Sequence, residues 1–203
     1  RHQIINEESE WGFPAWQLGY QGIAILDSQH FLGIHGPVDK RRFAIVNLKD
    51  KSINDIDSHF SYFAPTFNSN GNRLVAFAAS NSDFATLVEI DLIKRKIKDV
   101  IRPNPLPIPK EYAPRISEIE IPTDSHNIKV ILHSAQNPEY KADGLTPLLI
   151  HVHGGPTGHE FAVADLDFLY WTTRGFTIAD INHGGSSGYG AKYRHLLYGN
   201  WGV

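Results

Sequence analysis

The 203-residue chain contains no cysteine and no methionine. Without cysteine there is no disulfide framework and no thiolate to hold a metal, although the absence assigns no compartment. Methionine is missing even from the first position, which is Arg1, so the natural N-terminus is expected to be processed or to lie upstream. Residues 1–30 carry no secretory pattern. No uninterrupted apolar stretch approaches the roughly 20 residues that cross a bilayer. No run of Lys or Arg interrupts a formal net charge of −3. Neither nucleic acid nor an anionic membrane is therefore expected as a partner, and a cytoplasmic location is the expectation. What is present is 41% hydrophobic and 20% charged residues, the balance of folded globular protein rather than of a disordered tail.

Residues 1–101 read as strands. Short apolar runs, Gly22–Ser28, Phe31–Ile34, Arg42–Leu48, Leu74–Ala79 and Thr86–Leu92, are separated by turn residues such as Lys49-Asp50-Lys51. The pattern repeats: Phe43–Leu48 and Leu87–Leu92 stand 44 residues apart, and each precedes a charged turn and a short last strand, Ser52–Ile56 or Lys96–Ile101. Ala15-Trp16 and Ala64-Pro65-Thr66 open the two units, and Asn68–Asn72 is expected as a tight polar turn. Four strands per unit at a period of roughly 40–50 residues is the signature of propeller blades, the alternative being a piece of a β-sandwich.

Arg102–Pro109 has a proline at every second position. It neither continues a helix nor donates regularly to a sheet, so residues 102–114 read as a semi-rigid linker. Beyond it the pattern changes. Ile116–Ile121 and Ile128–His133 alternate as an antiparallel pair. Leu148–His153 is an apolar run of the kind found in buried parallel strands. Phe161, Ala164, Phe168 and Trp171 recur at helical spacing, with Thr157 as a possible cap and Arg174-Gly175 as the stop. Phe176–Ile181 is a further strand, and Ala191–Leu197 a second helix. Trp11, Trp16, Trp171 and Trp201 are expected in the core rather than as ligand-stacking residues.

The apolar run ends in His153-Gly154-Gly155-Pro156. Glycines there allow a sharp turn that leaves backbone N–H groups uncovered. Tyr170–Phe176, Asn182-His183-Gly184-Gly185-Ser186-Ser187-Gly188-Tyr189-Gly190, Tyr193-Arg194 and Gly199-Asn200-Trp201-Gly202 follow in close order, and Trp11–Trp16 precedes them. This ordered set resembles the prolyl oligopeptidase family of serine peptidases, in the branch of acylaminoacyl-peptidases and dipeptidyl aminopeptidases. The strong match covers residues 147–203. One departure is His183, which stands where the family usually has tyrosine.

The resemblance implies a β-propeller end (all-β, 1–101) followed by the N-terminal part of an α/β-hydrolase domain (115–203). It implies a peptide substrate and a Ser-Asp-His triad lying beyond Val203, so that no catalytic residue is expected in this chain and the chain alone is expected to be inactive. It implies an oxyanion hole at His153, Gly154 and Gly155, with the N–H of Gly155 as the donor. A non-catalytic propeller module with a degenerate hydrolase portion is the rival reading. Gly184–Gly188 also satisfies the G-x-S-x-G pattern of a nucleophile elbow. After Ser186, however, the chain has His195 but no acid, whereas the order in this fold is Ser, acid, His. Ser186 is therefore read as part of a glycine-rich loop near the floor of the site.

His151 and His153 fall on one face of a strand, as two ligands would, and His159 and His183 follow. No acidic ligand stands at a familiar metallohydrolase spacing, so no metal is expected. The glycine-rich loop has neither a Walker lysine nor the G-x-G-x-x-G order, so no phosphate-bearing cofactor is expected either.

Overall fold

The computed structural model describes residues 3–7, 9–14, 16–101, 108–155 and 157–202. The prolines at 103, 105 and 107 and Pro156 lie outside these described residues. The described structure is mostly β-sheet. Strands β1 (Ile23–Ile25), β2 (His30–His35), β3 (Arg42–Asn47) and β4 (Ile53–Asp55) form one antiparallel meander. Strands β5 (Tyr62–Asn70), β6 (Arg73–Ala79), β7 (Thr86–Asp91) and β8 (Lys96–Ile101) form a second.

The period-2 alternation explains why these segments are half-buried strands. In β7, Thr86, Val88 and Ile90 turn inward while their neighbours are only partly covered. The inward faces of the two meanders share one core, with Leu32, Ile34 and Phe43 from the first and Phe63, Phe67, Leu74, Val88 and Ile90 from the second. The Phe43 ring lies 4.8 Å from Phe63 and 5.3 Å from Phe67. Each such buried side chain contributes about 1.5–3 kcal/mol relative to exposure. The repeated segments seen in the sequence are the third strands, β3 and β7, and the two meanders are blade-like units.

The second unit opens differently from the expectation. Asn68–Asn70 is not turn but the end of β5, and the hairpin narrows to Gly71-Asn72 because Asn70 pairs with Arg73. Ala64-Pro65-Thr66 lies inside β5, where a bulge between Phe63 and Phe67 accommodates a proline that cannot donate to the ladder.

The third sheet has the order β11–β12–β10–β9. Strands β9 (Ile116–Pro122) and β10 (Asn127–His133) are antiparallel, and β10 is antiparallel to β12 (Thr177–Asn182). Strand β11 (Leu148–Val152) runs parallel to β12, as its apolar run suggested. It is not buried, however: Leu148, Ile150 and Val152 are 55%, 67% and 53% exposed. The reason is position. β11 is the last strand of the sheet, so its outer ladder is unpaired and one face lacks a covering layer within the described residues. An uncovered, apolar edge is a template for association. The 203-residue chain by itself is expected to self-associate at micromolar concentration, and Ile150→Lys is expected to shift light scattering toward monomer.

Helix α1 (Leu166–Thr172) joins β11 to β12 and is shorter than the Phe161–Arg174 pattern suggested. Its cap is Asp165, whose carboxylate accepts from the N–H groups of Asp167 and Phe168, not Thr157. Phe161 is used elsewhere, its ring packing 4.4 Å from Tyr62 of β5. Helix α2 (Ala191–Arg194) and a 3-10 turn at His195–Leu197 occupy the second expected helix. Three of the tryptophans are not the core residues expected, for Trp16, Trp171 and Trp201 all stand exposed, whereas Trp11 is half-buried and stacks on His35 at 4.2 Å. No helix among the described residues is long and apolar enough to cross a membrane.

The third sheet is tied to the blades by a few polar contacts. Ser61 Oγ donates to the carbonyl of Ala162, and the Ala164 N–H donates to the carbonyl of Ser80. Glu10 pairs with Arg194 and accepts from the Gly188 N–H. Gly188 has φ +96°, and a Cβ there would stand 2.6 Å from Val38 Cγ2, so the loop reaches the first blade only with glycine at this position. Beside it lies His159, half-buried, with Nδ1 2.8 Å from Ser187 Oγ.

Burial, with Arg41 and His153 adding to it, holds the His159 imidazole well below its ordinary 6.5. The unfolded chain therefore takes up this proton first as pH falls, and stability is lost as pH drops below about 6.5 toward the depressed native value. Urea midpoints of the full-length protein at pH 7 and pH 5 are expected to differ, and His159→Gln is expected to reduce that difference.

Candidate active site

The parallel register places the ends of β11 and β12 together: Val152 pairs with Ile181. The two glycine-rich segments, His153–Gly158 and His183–Gly190, therefore leave the sheet at the same end. In open α/β sheets ligands bind at this carboxyl end of the strands.

Gly155 sits at the turn with φ +65°, a left-handed conformation that a β-branched residue avoids. Space is not the constraint, since a Cβ would meet only the Trp16 ring at an ordinary 3.6 Å. Trp16, which precedes the first blade, covers the turn from that side and donates from Nε1 to Thr157 Oγ1 at 2.7 Å. The Gly155 carbonyl accepts from the Gly158 N–H at 3.4 Å, closing the turn, while the Gly155 N–H has no acceptor among the described residues.

His153 is 9% exposed and both its ring nitrogens are engaged. Nδ1 lies 3.2 Å from the Gly154 carbonyl, which can only accept, so Nδ1 carries the proton. Nε2 then accepts from Ser186 Oγ at 2.7 Å. His183 stacks on the ring at 4.6 Å. Burial holds the His153 pKa below its usual value, opposed by the Gly154 carbonyl.

A serine hydroxyl donating to an imidazole is the first half of a nucleophilic pair. Two features keep it from being more than that here. Ser186 is fully buried, and the group that orients His153 is a carbonyl rather than a carboxylate. The pair locks the Gly154-Gly155 turn to the loop after β12.

A second group of ionisable residues gathers along the strands. His151 Nδ1 lies 2.7 Å from Asp180 Oδ1. Burial pushes the Asp180 carboxyl up to about 6, opposed by the hydrogen bond from His151. That same bond is the main cause raising His151. Glu160 is beside them, and Asn182 fixes its backbone by accepting from its N–H at 2.8 Å and donating to its carbonyl at 3.2 Å.

The structure thus joins His153 to Ser186 rather than to His151. The sequence showed both glycine-rich segments and the strands before them. It showed neither the Trp16–Thr157 contact, which spans 141 residues, nor the His151–Asp180 pair. The signal for the latter was faint: each residue lies in an apolar run, but only the strand register sets them opposite each other.

No family model and no curated protein matches the chain. Solved structures do. The chain is 30% identical to a puromycin hydrolase, with a TM-score of 0.91, over 100% of this chain and 31% of that one. It is 28% identical to a puromycin-hydrolyzing peptidase of Mycobacterium tuberculosis, with a TM-score of 0.85, over 95% of this chain and 30% of that one. An acylaminoacyl peptidase of Pyrococcus horikoshii is 16% identical and shares the fold, with a TM-score of 0.64 over 86% of this chain and 27% of that one. These neighbours are serine-type peptidases. The structures that the chain resembles, the puromycin hydrolase and the acylaminoacyl peptidase among them, are members of the prolyl oligopeptidase family. It spans 31% of the length of the puromycin hydrolase that it resembles.

Proposed function

We propose that this chain is part of a serine peptidase that hydrolyses short or N-acylated peptides, and that it contributes one wall of the active site. In this reading residues 1–101 close a propeller that restricts access, 102–114 link it to the catalytic domain, and 115–203 begin an α/β-hydrolase domain. The Ser-Asp-His triad is supplied by sequence beyond Val203. His153, Gly154 and Gly155 form the oxyanion side.

The observation that carries the proposal is the Gly155 turn at the end of a parallel strand, with an N–H unengaged among the described residues. When a nucleophile attacks a peptide carbonyl, the oxygen becomes an anion. A preorganised N–H that is not engaged by an internal acceptor stabilises it without reorganisation, by about 3 kcal/mol per donor. His153 contributes by holding the turn: its ring joins the Gly154 carbonyl to Ser186. No resident metal or cofactor is needed for such acyl transfer. The likeness to puromycin hydrolases makes puromycin, an aminoacyl amide, a suitable first substrate beside acetylated peptides.

The test is turnover of these substrates by the full-length protein, together with its inactivation by a fluorophosphonate. Turnover that is lost on labelling one serine downstream of Val203 supports the proposal. A folded full-length protein with neither turnover nor labelling would leave a non-catalytic propeller module as the better reading.

A further inference from the structure

We propose that His151, Glu160 and Asp180 form a binding site for a divalent transition-metal cation of the zinc type.

One ligand atom from each of His151, Glu160 and Asp180 lies within 4.8 Å of the others. The three come from three places in the fold: β11, the segment after the Gly155 turn, and β12. Backbone pairing fixes two of them, because His151 and Asp180 are direct partners in the parallel ladder. Asn182, two residues beyond Asp180 on the same face of β12, fixes the third by its two hydrogen bonds to the Glu160 backbone.

His133, which lines a cavity with these three, is an independent observation. His133 is 1% exposed, and neither of its ring nitrogens has a hydrogen-bond partner. A buried imidazole with both nitrogens unsatisfied is destabilising unless something pairs with it. It pairs with Ile178 across the antiparallel ladder, two positions from Asp180 on the same face. It lines one cavity of about 190 Å³ together with His151, Glu160 and Asp180.

One imidazole and two carboxylates are three donors that suit zinc, which prefers four ligands in a tetrahedron and can take water as the fourth. The short His151–Asp180 hydrogen bond is where the cation would displace a proton. Once bound, it would tether the segment after the Gly155 turn to β11 and β12. The site stands on these three residues and does not depend on the oxyanion reading.

The test uses full-length protein stripped by a chelator and dialysed. Zn²⁺ is titrated by calorimetry, metal content is measured after desalting, and Co²⁺ replaces zinc to give a visible ligand-field band. The expected result is one Zn²⁺ per chain, with affinity lowered roughly 100-fold or more in both His151→Ala and Glu160→Gln and the Co²⁺ band lost. Both side chains are at least partly exposed, so the variants are expected to fold, which circular dichroism checks. His30→Ala, on the first blade, is expected to bind as the parent does. The proposal is overturned if no stoichiometric zinc is bound, or if both site variants bind with parent affinity. Peptide turnover, read separately, reports on the proposed function and not on this site.

Discussion

Replacing Gly155 by valine in the full-length protein is expected to lower kcat by roughly 10²–10³-fold with little change in KM. The turn needs φ +65°, where a β-branched residue is strained by on the order of 1–3 kcal/mol. The backbone relieves that strain by rotating, and rotation moves the N–H of residue 155 away from the oxyanion position. The ground-state carbonyl makes little use of that donor, so binding is spared and the transition state is not. Space alone would permit the side chain, because a Cβ at 155 would stand an ordinary 3.6 Å from the Trp16 ring. The loss would therefore report the backbone conformation and not a collision. Steady-state kinetics with an acetylated peptide, alongside circular dichroism to show folding, decides the matter. A folded variant with nearly normal kcat would reduce the loop to a structural turn.

The second large effect is the difference between this chain alone and the full-length protein. The 203-residue chain is expected to be inert to a serine-directed fluorophosphonate, whereas full-length protein is expected to be labelled stoichiometrically. Ser186 is the residue to watch, since its Oγ is 2.7 Å from His153 Nε2 within a G-x-S-x-G pattern. Burial denies the reagent access to Ser186. No carboxylate stands at His153 Nδ1 to stabilise the imidazolium that attack would create. Intact-mass measurement after incubation reads the result directly. Labelling of the short chain that disappears on Ser186→Ala would make Ser186 a nucleophile and refute the downstream triad.

The strands and turns were legible because the signals are local. Alternation in Thr86–Asp91 and the continuous apolar run at Leu148–Val152 each follow from which faces a strand buries. The glycine turn after β11 was legible for the same reason: two successive glycines end an apolar run in few other ways. The start of α1 was misjudged because Phe161 lies at helical spacing from Phe168, yet its ring is claimed by Tyr62 across the interface. Tertiary contact overrode a local pattern there, and the cap moved to Asp165. β11 was expected to be buried because its composition is that of a central strand. Its exposure is a matter of what lies beside it.

Sequence by itself determined the period-2 strands, the 44-residue repeat and the glycine turn at 154–155. Each is set by neighbours within a few residues or by a repeat of such neighbours. Only the tertiary structure decided which side chains meet. Parallel register put His151 opposite Asp180. The common exit of β11 and β12 brought His153 to Ser186, and packing against the blades laid Trp16 over Gly155. A one-residue slip in register would turn each strand side chain to the other face, and no local propensity specifies that choice.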